Sequence, residues 1–193
     1  MTKPSKFDND TFLPAREHLN DFIKRTAENI GFTGQKLLEI GPQERSEVKS
    51  NFNMCNIETL DIVPNYNPDI IGDLTKYNSH IEDSTYDIIT CLEILEHTVD
   101  PFSAIKELRR ICKHEGYILF SAPLNWRIHG PIPDCWRFTE FGWSVLLKDF
   151  DIIEIDKLET PDRNLFPIKY NILAKCNKLK NVDIHSIKFE PVN

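Results

Sequence analysis

Five short runs, KLLEIG, ETLDIV, PDIIGD, YDIITCL and GYILFSAP, are apolar almost throughout and are separated by polar or amphipathic stretches. That alternation restricts the fold more than any other feature of the chain. A strand apolar on both faces must be covered on both, which calls for a parallel sheet whose strands are joined by right-handed helical crossovers. The expected class is therefore α/β, a doubly wound sheet with helices on both faces. Two later runs, FDIIEIDKLE and IKYNILAKC, are separated only by a polar loop containing TPDRNL and read as an antiparallel hairpin at the sheet edge.

The helical stretches are equally distinct. Leu13, Leu19, Phe22, Ile23 and Ile30 recur at roughly helical spacing before Gly31, giving an amphipathic lead-in helix. PQERSEVKSN has room for a short helix. In DPFSAIKELRRICKHEG, Asp100 is an N-cap candidate, Pro101 takes the first position, Phe102, Ile105, Leu108 and Cys112 share a face, and Gly116 resets the chain. Thr139 opens a last helix, TEFGWSVLLKD. The chain thus divides into an N-terminal extension with its lead-in helix (1–35), one folded domain (36–176) and a tail (177–193) that the pattern does not assign.

Size and charge narrow the function classes. A chain of 193 residues suits one domain. Its net charge of −7 disfavours nucleic acid as a partner, since phosphate contacts need a basic surface. The five cysteines are scattered, with no CxxC pair and no Cys/His spacing for a tetrahedral metal site, and read as reduced thiols. No apolar run approaches the roughly 20 residues of a membrane span, and the first residues lack a signal-peptide core, so a cytoplasmic protein without membrane contact is expected.

In doubly wound sheets ligands bind beyond the carboxyl ends of the strands. The first strand ends at Glu39-Ile40-Gly41, where glycine lets backbone approach a ligand. Asp61 ends the second, 20 residues after Gly41, the spacing of about 20 at which an acidic residue holds a ribose. Asp73 ends the third, where a carboxylate can meet an adenine amino group; as turn formers, Asp61 and Asp73 would need no ligand at all. With LLEIGPQ, TLDIVP, IIGDLT, the long segment from YDIITCLEILEHTVDP to SAP, and DCWRFTEFGW, the chain from Lys36 to Cys176 resembles the class I S-adenosylmethionine-dependent methyltransferases.

That resemblance implies a Rossmann-like seven-stranded sheet with an antiparallel last strand and S-adenosylmethionine as methyl donor, leaving as S-adenosylhomocysteine. By position, Glu39, Gly41 and Pro42 would lie beside the methionine part, and Asp61 and Ile62 at the ribose. Asp73 and Leu74 would flank the adenine, and Cys91, Leu92 and Glu93 would line the sulfonium. The first motif reads Gly41-Pro42-Gln43 where the family has Gly-x-Gly, and it lacks the fuller glycine pattern of a nicotinamide enzyme.

Methyl transfer from a sulfonium needs alignment, and a base only where the acceptor must lose a proton. His97, after the fourth strand, and His129, after the fifth, are the candidate bases; His97 serves equally well as a turn-fixing residue. SAPLNWRIHGPIPDCWRFTEFGW gathers all three tryptophans of the chain. Two readings stand side by side: a satellite core of Trp136, Phe138 and Trp143 with Arg137 paired to Asp134, or a lid in which Trp126, Arg127, Trp136 and Arg137 hold the acceptor. Guanidinium forks suit an anion and tryptophan faces suit a sugar ring, so a small anionic or sugar-like acceptor, such as a nucleotide-sugar, is expected. Glu93, Glu96 and Asp100 form no convincing ligand set, so no metal is expected. The alternative to an enzyme is a non-catalytic binding or regulatory module on the same fold.

Overall fold

The computed structural model describes residues 3–42 and 46–189; Gln43 of the first motif lies outside the described residues. Helix α1 (Lys6–Ile30) is followed by β1 (Lys36–Ile40), α2 (Glu47–Asn51), β2 (Asn56–Asp61), β3 (Ile70–Ile71) and β4 (Tyr86–Leu92). Then come α3 (Pro101–Ile111), β5 (Cys112–Pro123), α4 (Glu140–Leu146), β6 (Phe150–Leu158) and β7 (Lys169–Cys176). The seven strands form one sheet in the order β3-β2-β1-β4-β5-β7-β6. β7 is antiparallel to both of its neighbours, β5 and β6, and the other pairings are parallel. The doubly wound α/β class is the observed one, with the antiparallel strand inserted second from the edge.

The central strands owe their place to their sequence. β1 and β4 carry almost uninterrupted apolar side chains, and Leu37, Leu38, Ile88 and Ile89 are fully buried, so neither strand could serve at an edge. One layer of core packs α3 and α4 against the sheet through Leu108, Ile111, Trp143 and Phe120. The other is built on α1: Leu19, Phe22 and Ile23 pack against Leu37, Ile88, Leu119 and Leu173. The lead-in helix is therefore one of the sheet's two covers. Its start is fixed by Ser5, whose hydroxyl accepts the Asp8 N–H while the Asp8 carboxylate accepts the Ser5 N–H, a closed capping box.

Two elements differ from the sequence reading. Asp100 and Pro101 open α3 as expected, and the Asp100 carboxylate accepts the Ser103 N–H at 3.0 Å. The helix, however, ends at Ile111, and Cys112 already pairs with Tyr86 of β4. Cys112 repeats the helical spacing of Leu108, so local pattern cannot tell the two states apart; strand pairing decides. Phe102 is 55% exposed, because the buried stripe of α3 runs through Pro101, Ala104, Ile105, Leu108 and Ile111 and leaves it on the far side. The third run, PDIIGD, yields only Ile70 and Ile71 as strand, at the sheet edge.

The segment after β7 is tied back onto the domain. The Arg109 guanidinium donates to the carbonyls of Asn177, Lys178 and Lys180, and Phe189 meets Phe141 edge to face at 5.3 Å. No helix among the described residues is long and apolar enough to cross a membrane. Because Phe22 is fully buried between α1 and the sheet, Phe22→Ala is expected to cost about 3–5 kcal/mol of stability, read as a lowered urea midpoint with an unchanged slope. A loss below about 1 kcal/mol would mean that α1 is not part of the cooperative core.

Candidate active site

β1 and β4 lie side by side with Ile40 level with Cys91, and from there the chain winds outward in both directions. That reversal opens a crevice beyond the carboxyl ends of the two strands. Gly41 follows β1 with φ +59°, a left-handed backbone that side chains resist, and a Cβ there would run into the Ile94 side chain. Its N–H donates to the Leu60 carbonyl of β2 at 2.8 Å. Glu93 follows β4, also in the left-handed region at φ +59°, with its N–H donating to Ser121 of β5 at 2.9 Å. Both tight turns are thus pinned by the neighbouring strand.

Between these turns and α1 lies a cavity of about 420 Å³. Glu39, Gly41, Leu92, Glu93, His97 and His129 line it, all of them residues the sequence reading singles out, and Trp126 adds an aromatic wall. Cys91 is fully buried within the core shared with α3, and burial pushes its thiol pKa up. Leu74 is buried in that core as well. Asp61 lies at the end of β2, where its carboxylate accepts the Val63 N–H at 3.1 Å, and Ile62 beside it is exposed. The Asp73 carboxylate accepts from the Thr75 N–H at 2.9 Å and the Thr75 hydroxyl at 2.7 Å, closing a local turn. Pro42 is buried.

Sequence reasoning missed the opposite wall. Phe12, Arg16 and Asn20 of α1 line the cavity, as does Lys169, only 4% exposed at the start of β7. The Lys169 ammonium stands 2.9 Å from Glu93, and Ser121 places its hydroxyl 2.6 Å from the same carboxylate oxygen. From there a buried polar chain continues through Asn171 to His18 of α1, and His18 meets Asp156, which Arg25 also holds at 2.7 Å. Lys169, near the start of the largely apolar run IKYNILAKC, was the available signal.

The loop after β5 makes the remaining wall. The Asp134 carboxylate takes both guanidinium nitrogens of Arg137, at 2.5 and 2.8 Å, which holds its pKa far below the usual carboxylate range. Arg137 also donates to the Arg127 carbonyl at 3.2 Å, and the Arg127 guanidinium stands 3.8 Å from Asp8. Arg137 is thus engaged as a strut of its own loop, as in the reading that pairs it with Asp134. Trp136 stacks on Phe138 at 6.3 Å and donates its indole N–H to the Thr98 carbonyl, while Phe138 packs on Trp143 at 5.0 Å. Those three rings are the satellite core, and Trp126 alone of the tryptophans turns to the cavity, 6.5 Å from Phe12.

Both histidines have defined orientations. His97 follows β4 in a 3-10 turn, Leu95–His97, and its Nδ1–H donates to the Pro133 carbonyl at 2.9 Å. Burial is the chief reason its pKa lies below the ordinary histidine value, against the opposing pull of that carbonyl. His129 Nδ1 lies 3.1 Å from the Asp134 carboxylate and 3.3 Å from the Arg127 carbonyl. All these partners can only accept, so each Nδ1 carries a hydrogen, and in the neutral form of either ring the lone pair lies on Nε2. The two rings meet edge to face at 4.9 Å. Glu96, fully buried beside them, gathers with His97 and His129 into a cluster whose ligand-capable atoms all lie within 4.8 Å of one another. Such a set was not expected from the sequence, because its members come from two loops that only the fold brings together.

Comparison with known proteins accords with this architecture. A family model described as a methyltransferase domain matches residues 12–153. The ubiquinone biosynthesis O-methyltransferase of Vibrio vulnificus strain YJ016 is 28% identical over 86% of this chain and 80% of its own. That of Aliivibrio fischeri strain MJ11 is 30% identical over 56% of this chain and 51% of its own. Among solved structures, a putative sarcosine dimethylglycine methyltransferase from Galdieria sulphuraria superposes with a TM-score of 0.66 at 13% identity, covering 91% of this chain and 92% of its own. An S-adenosylmethionine-dependent methyltransferase from Aquifex aeolicus gives 0.58 at 16%, covering 91% and 100%. The chain belongs to the methyltransferase-domain family and is a class I S-adenosylmethionine-dependent methyltransferase, with S-adenosylhomocysteine as the product of its donor.

Proposed function

We propose that this methyltransferase methylates a hydroxyl group of a small, ring-bearing acceptor in the cavity between α1 and the carboxyl ends of β1 and β4. The observation that carries the reading is the pair of imidazoles, each with Nδ1 held by an acceptor and Nε2 left for a proton, on the wall of the same cavity as Gly41 and Glu93. An Nε2 lone pair on His129, or on His97 beside it, is the group that can draw the proton from an acceptor hydroxyl. The curated relatives are named as O-methyltransferases, which supports oxygen as the accepting atom.

The site fits the donor. Gly41 leaves no Cβ on the wall, and the lining carboxylates Glu39, Glu47 and Glu93 outnumber the cations Arg16 and Lys169, which favours a positively charged ligand part such as a sulfonium. When bound, the donor supplies an electrophilic methyl: the O–C bond forms as the C–S bond breaks, and that electron pair stays on sulfur. Glu39 and Gly41 would hold its amino-acid end, and Asp61 its ribose. The same excess of carboxylates disfavours an anionic acceptor. A cavity of about 420 Å³ lies towards the small end of the roughly 300–1,000 Å³ of ligand pockets. A neutral, sugar-like ring stacked on Trp126 suits both its size and its charge.

Calorimetric titration with S-adenosylhomocysteine tests the donor half. Asp61→Ala is expected to weaken binding by about 1.5–3 kcal/mol through lost charge-assisted hydrogen bonds, and an unchanged affinity would remove Asp61 from the site. Gly41→Ala should lower stability by about 1–2 kcal/mol, because its left-handed backbone strains any Cβ, and should weaken the same titration. His129→Ala is expected to depress turnover with little change in S-adenosylhomocysteine affinity; an equal loss of both would make His129 a structural residue.

A further inference from the structure

Glu96 is an unconventional residue for a buried position. Its side chain is fully buried, and neither carboxylate oxygen accepts a hydrogen bond among the described residues. Buried polar atoms are almost always paired, and a buried carboxylate without a donor is costly to keep. Its main chain, in contrast, is well used: the Glu96 carbonyl accepts the N–H groups of Cys135 at 2.7 Å and Trp136 at 3.3 Å, locking the loop of His129 against the turn of His97. The fold thus holds this acid in place with its oxygens left open.

Two imidazole rings stand beside those oxygens. His97 Nε2 lies 3.8 Å from Glu96 Oε1, and the His129 ring meets His97 edge to face at 4.9 Å. Each ring has its Nδ1–H engaged by an outer acceptor, the Pro133 carbonyl for one and the Asp134 carboxylate for the other. An outer acceptor that fixes the tautomer and aims the other nitrogen inward is the usual support of a metal-bound histidine. Asp134 is itself anchored by Arg137, so this support reaches a further shell.

We propose that Glu96, His97 and His129 bind a divalent first-row transition-metal ion, with its open coordination positions directed into the methyl-transfer cavity. Around an ion bound at roughly 2.1 Å, ligand atoms sit roughly 3.4 Å apart, so separations within 4.8 Å close by small side-chain rotations. Two nitrogens and one carboxylate suit zinc, manganese, iron or cobalt, whereas magnesium and calcium prefer all-oxygen shells. His97 and His129 line the cavity and Glu96 lies behind them, so the vacant side of the ion faces the acceptor.

The assignment rests on the reading of this cavity as the methyl-transfer site and deepens it. A hydroxyl coordinated to the ion becomes more acidic, its proton leaves to water, and the oxygen remains as the nucleophile. The ion then takes over the activation that an imidazole alone would perform by direct proton transfer. Specificity follows as well, since an acceptor must present its hydroxyl within reach of both the ion and the donor's methyl.

The test uses the full chain, stripped with a chelator and titrated with cobalt(II) chloride, and reads the visible d–d absorption of bound cobalt. The wild-type protein is expected to show saturable binding with nitrogen-type ligation. Glu96→Gln and His129→Ala should each weaken it by about 100-fold or more. His129 lies on a partly exposed loop, so its variant remains informative if the buried Glu96→Gln fails to fold. Calorimetric binding of S-adenosylhomocysteine, run alongside, keeps the two readings apart. Normal S-adenosylhomocysteine binding without a cobalt spectrum, or equal cobalt binding in wild type and His129→Ala, would overturn the metal site and leave the methyltransferase reading intact. Cobalt binding lost in the variants while S-adenosylhomocysteine affinity is kept would support it.

Discussion

Everything at the functional end of this molecule depends on the parallel pairing of β1 with β4. Four residue pairs, from Leu37–Ile88 to Ile40–Cys91, put the carboxyl ends of the two strands at the same height. Since nearly every residue of both strands is buried, a slip in register would misplace buried side chains and misalign the strand ends. With the ends level, the chain must leave each strand by a sharp turn, and it does so with a left-handed residue in both cases, Gly41 and Glu93. A positive φ at a non-glycine residue such as Glu93 is costly, and its persistence beside a ligand cavity accords with strain concentrated at functional sites.

The helices then decide what the crevice can contain. α1 covers one face of the sheet and reaches its functional end, so the same helix supplies Phe22 to the core and Phe12 to the cavity wall. The polar chain from Lys169 through Glu93, Ser121 and Asn171 to His18 connects that wall to the floor inside the protein. Such a chain is stable only if nearly every member is paired, which makes the position of α1 over the cavity a defined one. Stability and site geometry are therefore carried by the same contacts on this side of the sheet.

How much of this was legible in the sequence varies with how local the cause is. YDIITCL is a strand from end to end, because an apolar run of that length has no other use in an α/β chain. The end of α3 was not legible, since Cys112 continues the helical pattern and only its pairing with Tyr86 converts it to strand. Gly41, His97 and His129 were readable as site residues from their position at or after strand ends, Leu92 and Glu93 only through the family resemblance, and all five line the cavity. The role of Arg137 was ambiguous, and the three-residue spacing to Asp134 proved to be an internal ion pair. The wall contributed by α1 left no motif, because nothing in an amphipathic pattern says which sheet end its polar flank will overhang.

The cluster of Glu96, His97 and His129 shows why the two loops must be considered as one device. Glu96 and His97 sit in the turn after β4, and His129 in the loop after β5, yet the loops exchange bonds in both directions. Cys135 and Trp136 donate to the Glu96 carbonyl, Trp136 donates from its indole to Thr98, and His97 donates to Pro133. Four hydrogen bonds between segments distant in sequence restrict the relative motion of the two imidazoles and keep them together beside Glu96. Keeping an unpaired acid buried beside them opposes stability, and burial together with the negative Glu93 raises the Glu96 pKa well above the usual carboxylate range. A hydrophobic residue in its place would pack without that cost. The arrangement makes physical sense where something positively charged, an ion or a developing cationic centre, completes the shell, and the surrounding hydrogen bonds hold the acid and the two imidazoles ready for it.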